Sequence, residues 1–298
     1  MARFSFLLAT LVATNPLVQA HFRFVRIARN GVWQAPFRFM RNTTSPYTEP
    51  LDPNSDDPNY TRTFFDPSYY TDHPNSVRCG RGNMEHAAET QSMWIKAGDT
   101  LEFATAAYTD PAFGDARVWE CGDRRGFCTF GLNVSEIDRY GTFPMSIAHS
   151  GPVSTYLSAV PSGQEIEQYD GSGEWIKLHT TGVQIWKNMT NVHWLPNNNT
   201  GRYAYASGIN RIAPRMPFKI PEQTPTGSYL LRIDLLYTTG WYPAQLYPTC
   251  AHILVEGAAE GALPKGVKFP EVYDPKMPGE DDPPFASSLP FCCSGVCI

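Results

Sequence analysis

Seven histidines, His21, His73, His86, His149, His179, His193 and His252, are the side chains best suited to metal or acid–base chemistry in this chain. None lies in a local H-E-x-x-H pattern, and the chain carries no G-x-S-x-G elbow, phosphate-binding P-loop or dinucleotide fingerprint. His21 stands apart because of what precedes it. Residues 1–20 read MARFSFLLATLVATNPLVQA, with Arg3, an apolar run from Phe4 to Val12, and Val18-Gln19-Ala20 at the end. That is the pattern of a secretory signal peptide with a small-x-small cleavage site. The apolar run is too short to span a bilayer; a buried N-terminal strand is the alternative reading. Cleavage after Ala20 leaves His21 with a free α-amino group. Such a residue can chelate a metal through its amino nitrogen and ring Nδ1, and one further imidazole would complete three nitrogens in a plane. This tetragonal set favours copper. The other reading is a histidine that merely happens to follow the cleavage site.

The elements that must position these groups read as strands. Pro (26) and Gly (23) are frequent and long helical periodicity is scarce. Short strand-like runs recur between turn signals at Phe22–Ala28, Val153–Val160, Trp175–Thr180, Ser228–Tyr237 and Tyr247–Gly257. Ser92–Ala97 and Thr100–Tyr108 read as a hairpin-like pair around Ala97-Gly98-Asp99. Within Ser228–Tyr237, residues Tyr229, Leu231, Ile233, Leu235 and Tyr237 share one face and Arg232 and Asp234 the other, the period of a half-buried strand. The expectation is an all-β fold, an immunoglobulin/fibronectin-like antiparallel β-sandwich with long loops. One loop is the Pro/Asp/Tyr-rich segment 45–75 and another is 109–147. Three regions follow: a signal peptide at 1–20, one domain at 21–275, and a Pro-rich, acidic, extended tail at 276–298 that carries Cys292, Cys293 and Cys297.

Composition agrees with export. The net charge of -5 argues against nucleic-acid binding. Sequons at Asn42, Asn59, Asn133, Asn188 and Asn198 suit a secreted glycoprotein. Seven cysteines imply disulfides in an oxidising compartment, with at least one cysteine left over. Cys121 and Cys128 are close enough within one loop to form a local disulfide. No anchor in a membrane is expected, and the chain reads as a monomer.

Several segments, in order, resemble a known family. They are His21-Phe22, Asn30-Gly31-Val32, Val77-Arg78-Cys79, Ile95-Lys96-Ala97-Gly98-Asp99 and Ala148-His149-Ser150-Gly151-Pro152. Then follow Thr226-Gly227-Ser228-Tyr229-Leu230-Leu231-Arg232, Ala244-Gln245-Leu246-Tyr247-Pro248-Thr249-Cys250-Ala251 and Phe269-Pro270-Glu271-Val272-Tyr273. Together they resemble the fungal lytic polysaccharide monooxygenases of auxiliary-activity family 9, formerly glycoside hydrolase family 61. The resemblance implies a secreted oxidoreductase with one copper ion per chain. It would cleave a β-1,4-linked glucan, cellulose or a related cell-wall polysaccharide, at C1 or C4, using O2 or H2O2 and an external electron donor. It implies that His21 and His149 are metal ligands, that Tyr247 lies on the axial side, and that Gln245 is a hydrogen-bond donor beside the reacting oxygen species. Gln245 and Tyr247 are two apart, so a strand turns both to one side. In isolation, Tyr247 reads equally well as a core tyrosine and His149 as a turn residue. The resemblance also implies a Cys79–Cys250 disulfide, and Tyr273 as an aromatic platform for the glucan, with Trp241, Tyr242 and the tyrosines of 45–75 as further candidates.

One departure stands out. Family members carry a further histidine on the strand before the Gln-x-Tyr segment, where this chain has Thr238-Thr239. His252 would face the other side of the strand. The alternative is therefore a copper-binding family member without polysaccharide-cleaving activity. A carbohydrate-binding sandwich without metal is a third reading.

Overall fold

The computed structural model describes residues 22–44, 47–48, 61–62, 67–70, 75–107, 149, 151–185, 192–194, 216–237 and 244–273. The described strands are β1 (Phe22–Arg29), β2 (Val32–Trp33), β3 (Tyr47–Thr48), β4 (Thr61–Arg62), β5 (Met93–Lys96), β6 (Thr100–Ala107) and β7 (Val153–Ala159). They continue with β8 (Ile176–Thr181), β9 (Val183–Ile185), β10 (Val192–Trp194), β11 (Phe218–Lys219), β12 (Gly227–Tyr237), β13 (Gln245–Leu246) and β14 (Thr249–Glu256). A single helical turn, α1 (Ser76–Cys79), precedes β5. Among the described residues no helix is long and apolar enough to cross a membrane.

Two larger sheets face each other as a β-sandwich. One has the order β11-β6-β1-β2; the other runs β5-β14-β12-β7-β8, with β13 extending beside β12. Pairing within them is antiparallel except for the parallel contact of β14 with β5. Between the sheets lies one apolar core. β1 and β6 contribute Phe22, Phe24, Ile27, Leu101 and Phe103, while β12 and β14 contribute Tyr229, Leu231, Ile233, Leu235, Ile253 and Val255. The inward phase of β1 runs 22, 24, 27 rather than strictly alternating. A register shift between Phe24 and Arg26 in its pairing with β6 moves the phase by one.

Two expectations need correcting. The runs at Ser92–Ala97 and Thr100–Tyr108 do not form a hairpin: β5 pairs with β14 in one sheet and β6 with β1 in the other. Gly98, at φ +92°, turns the chain from sheet to sheet. Met93 and Ile95 thereby face Leu101 and Phe103 across the core instead of lying beside them. Nor is β12 half-buried. Its outer face is covered by a second cluster in which Leu230 and Cys250 pack with Val77, Cys79, Tyr169, Trp175 and Phe269. The Cys79–Cys250 disulfide fastens α1 to β14 on that face.

Within the segment 45–75, residues 47–48, 61–62, 67–70 and 75 are described. β3 and β4 pair within it, and Ser68 bridges to Leu246. Tyr69 and Tyr70 are buried, so they pack inward and form no platform for a glucan.

Candidate metal centre

The site residues gather at one end of the sandwich, where β12 meets β13. Tyr237 lies opposite Gln245, and Leu236 opposite Leu246. Because directly paired residues share a face, Tyr237, Gln245 and Tyr247 all point to the core side. Tyr247 Oη donates to Gln245 Oε1 at 2.8 Å. Its ring stacks on Phe22, with centroids 4.6 Å apart and planes at 16°. Proline at 248 has no N–H, so the ladder breaks there before resuming at Thr249 opposite Ile233.

That break is held from the opposite face of the sheet. The Tyr247 N–H donates to Leu235 O at 3.1 Å and to Asp234 Oδ1 at 2.9 Å. Asp234 Oδ2 accepts from Arg232 Nη2 at 2.7 Å and from Tyr273 Oη at 3.1 Å. Arg232 also donates to the carbonyls of Val77 and Arg78, and its guanidinium carbon lies 4.1 Å from the Phe269 ring centroid. Arg232 and Asp234 are 0% and 3% exposed. Burial pushes the Asp234 carboxyl up, against the pull of Arg232 and the hydrogen bonds from Tyr273 and the Tyr247 N–H. Burial would lower Arg232, but Asp234 outweighs it and keeps the guanidinium charged.

His149 approaches from the loop before β7. Its ring centroid is 4.2 Å from that of Tyr237, at 37°, and 5.3 Å from that of Tyr247, at 33°. The chain just after it runs tightly against the end of β12. Leu236 N–H donates to Pro152 O at 3.2 Å, and a Cβ on Gly151 would lie 2.0 Å from the Leu236 carbonyl oxygen. Glycine is therefore required there for the loop to reach the strand.

The structure thus brings together His149, Gln245 and Tyr247. Tyr273 is placed otherwise than a platform residue: its hydroxyl turns inward to Arg232 and Asp234, and its half-buried ring packs on Tyr70 and Phe269. His252 lies on the outer face of β14, fully buried, with its Nε2 accepting from Arg41 Nε at 2.7 Å. Burial first, and then Arg41, lowers its pKa to about 3. Asn42 is half-buried, and its Oδ1 accepts from the Thr43 N–H. His21, Trp241, Tyr242, Cys121, Cys128, the sequons at Asn59, Asn133, Asn188 and Asn198, the leader and the tail lie outside the described residues. Sequence reasoning placed Tyr237 only in the core and gave Asp234 no role. The register of β12 against β13, which the sequence does not record, is what brings Tyr237 to the side of Gln245 and Tyr247.

Among the described residues the donor set is an imidazole, a phenol and an amide, with no carboxylate turned to it; the nearby Asp234 is engaged on the other face. Such a set does not suit hard cations, which seek several oxygen anions. It suits a nitrogen-preferring transition metal once further nitrogens are supplied. Among the described residues no group of three His, Cys, Asp or Glu forms a metal site, so those nitrogens must come from elsewhere. Residue 21 is covalently next to Phe22, the residue stacked on Tyr247.

Comparison with known proteins identifies this architecture. The extended catalytic domain of H. jecorina LPMO9A, also called EG4, superposes with a TM-score of 0.52 at 18% identity, covering 93% of this chain and 90% of that one; it supports the fold. An AA9 family lytic polysaccharide monooxygenase G of Aspergillus tamarii is 26% identical over 273 residues, 91% of this chain and 63% of that protein. An AA9 family lytic polysaccharide monooxygenase C of Malbranchea cinnamomea is 32% identical over 221 residues, 69% of this chain and 80% of that protein. The chain thus spans less than two thirds of the first relative's length and more of the second's. Residues 21–281 match Auxiliary Activity family 9, formerly GH61, and the chain belongs to that family of copper-dependent lytic polysaccharide monooxygenases.

Proposed function

We propose that the mature chain begins at His21, is secreted, and cleaves a β-1,4-linked glucan oxidatively at C1 or C4, using O2 or H2O2 and an external electron donor. The observation that carries this reading is the convergence of His149, Tyr247 and Gln245 beside Phe22. One copper ion would be held by the amino and ring nitrogens of His21 and a ring nitrogen of His149, with the Tyr247 phenol beside His149. Copper there supplies one-electron redox chemistry.

The remaining work belongs to the chain. Tyr247 is pinned by Phe22 and by its bond to Gln245, so its phenol is held rigidly rather than free to swing. That bond also engages Gln245 Oε1, which leaves Nε2 as the donor end of the amide. Asp234 keeps Tyr247 in register from behind. Substrate contact falls to Trp241 and Tyr242, through stacking on sugar rings. Tyr273 adds only the exposed part of its ring, because its hydroxyl is engaged inward.

The test uses tag-free mature protein loaded with copper, reduced with ascorbate and incubated with cellulose, xyloglucan, mixed-linkage glucan and xylan. Mass spectra should show oligosaccharides oxidised at C1 or C4. Spectra free of any oxidised product would overturn the enzyme reading. A three-nitrogen EPR signature in the same inactive sample would select a copper-binding protein without cleavage activity, the reading raised by Thr238-Thr239 standing where the resemblance implies a histidine.

A further inference from the structure

We propose that Tyr237 is a positioning residue for the His149 imidazole, acting through the face of its ring. The inference rests on the assignment of His149 as a metal ligand and adds the device that sets the ligand's orientation.

Three observations carry it. First, His149 sits against two phenols, and Tyr237 is the nearer, at 4.2 Å against 5.3 Å for Tyr247. Second, the two phenols are held differently. Tyr247 is tied inside by Gln245 and Phe22. Tyr237 is the last residue of β12, half-buried, and lies directly across from Gln245. His149 is only 8% exposed although it belongs to a loop at the end of the sandwich, and Tyr237 supplies part of its cover. Third, the loop is fitted to this strand end. The missing Cβ of Gly151 allows the main chain to meet the Leu236 carbonyl, and a Cβ there would also come within 3.4 Å of Tyr237 Cα. Leu236 N–H bonds Pro152 O. The backbone that carries His149 is thus docked on the residues that carry Tyr237.

An imidazole on a loop has two side-chain torsions to fix before its nitrogen points at a metal. A ring tilted at 37° with its centroid 4.2 Å away restricts the second of them. Preorganising one side chain in this way changes affinity by about three- to tenfold. The hydroxyl is not needed for it; the ring face is.

The test compares full-length mature wild type with Tyr237→Phe, Tyr237→Ala and Tyr237→Leu. Measurements are the Cu(II) dissociation constant, the Cu(II) EPR spectrum and the melting temperature. Tyr237→Phe should match wild type in affinity and spectrum. Tyr237→Ala should bind Cu(II) about three- to tenfold more weakly, with altered hyperfine splitting. Tyr237→Leu, which keeps bulk without a π face, should behave like Tyr237→Ala and serves if the alanine variant does not fold. A lower melting temperature with unchanged affinity and spectrum would mean a purely structural role and would overturn the proposal. Equal losses in Tyr237→Phe and Tyr237→Ala would overturn it too, by assigning the effect to the hydroxyl. If wild type binds no copper, the assignment of His149 as ligand fails, and the orienting contact is then read in the metal-free protein. There the ring-current shifts of the His149 ring protons should be the same in wild type and Tyr237→Phe and should shrink in Tyr237→Ala to the part that Tyr247 contributes. Shifts unchanged between wild type and Tyr237→Ala would refute the contact itself.

Discussion

Replacing Asp234 with asparagine isolates one charge. Asparagine keeps the size of the side chain and can still accept the Tyr247 N–H through its carbonyl oxygen. What it removes is the anion 2.7 Å from Arg232 Nη2. Arg232 is then a fully buried cation whose remaining partners are two backbone carbonyls, the Tyr273 hydroxyl and the aromatic faces of Phe269 and Tyr156. Breaking a buried pair in this way costs about 3–5 kcal/mol. For a domain of this size about 1 kcal/mol moves the melting temperature by about 2–4 °C, so the expected drop is roughly 6–20 °C. The assay is calorimetric and urea unfolding of wild type, Asp234→Asn, and Asp234→Asn combined with Arg232→Met. Removing the stranded cation should return much of the loss, because an apolar replacement of a buried pair is often near neutral. A single variant within about 1 kcal/mol of wild type, or a double variant less stable than the single by the full cost of losing Arg232, would refute the argument.

Other consequences are as direct. Gly151→Ala should push the His149 loop off the end of β12, weakening Cu(II) binding at least tenfold by an estimate of about 1.4 kcal/mol or more for the displaced ligand; titration calorimetry checks it, and unchanged affinity would mean the loop has another way to fit. Breaking the Cys79–Cys250 bridge with paired serines should destabilise by about 2–5 kcal/mol, since it opens a loop spanning 171 positions; urea unfolding under non-reducing conditions measures it. His252 makes stability fall with acidity. Its folded pKa is about 3 against 6.5 unfolded, so the unfolded chain takes up the proton first. The stabilisation is complete above pH 6.5 and erodes as pH falls toward 3, at up to about 1.4 kcal/mol per pH unit. A melting-temperature profile between pH 7 and 4 should flatten in His252→Gln; an equally steep profile would exonerate this histidine.

Much of the sandwich was legible because the strands alternate. The inward set Tyr229, Leu231, Ile233 and Leu235 followed from period two alone, as did the shared side of Gln245 and Tyr247. What covers the outer face of β12 was not legible. Its lid comes from Val77, Tyr169, Trp175 and Phe269, which are remote in sequence, so Arg232 and Asp234 looked like solvent-facing charges. The turn at Gly98 is equally compatible with a hairpin and with a crossing between sheets, and only the partners of β5 and β6 decide. At the site, residue types and the resemblance pointed to His149. Its contact with Tyr237 depends on how a loop of irregular structure docks on a strand end, and no local periodicity records that.

The partnerships of β5 also bear on how the molecule comes to be folded. Met93 pairs with Ile253 and Lys96 with Glu256, and Phe22 pairs with Ala107 in the facing sheet. A chain emerging from its N-terminus therefore offers β5 no partner until nearly the whole domain has been made. Closing such distant pairs is intrinsically slow, and unpaired strands invite association meanwhile. The short length of β5, four residues, limits the edge exposed during that wait. Oxidation of Cys79 with Cys250 joins the same two ends of the chain. The bridge can thus form only once Cys250 has been made, and it ties together the same two regions that the β5–β14 pairing joins.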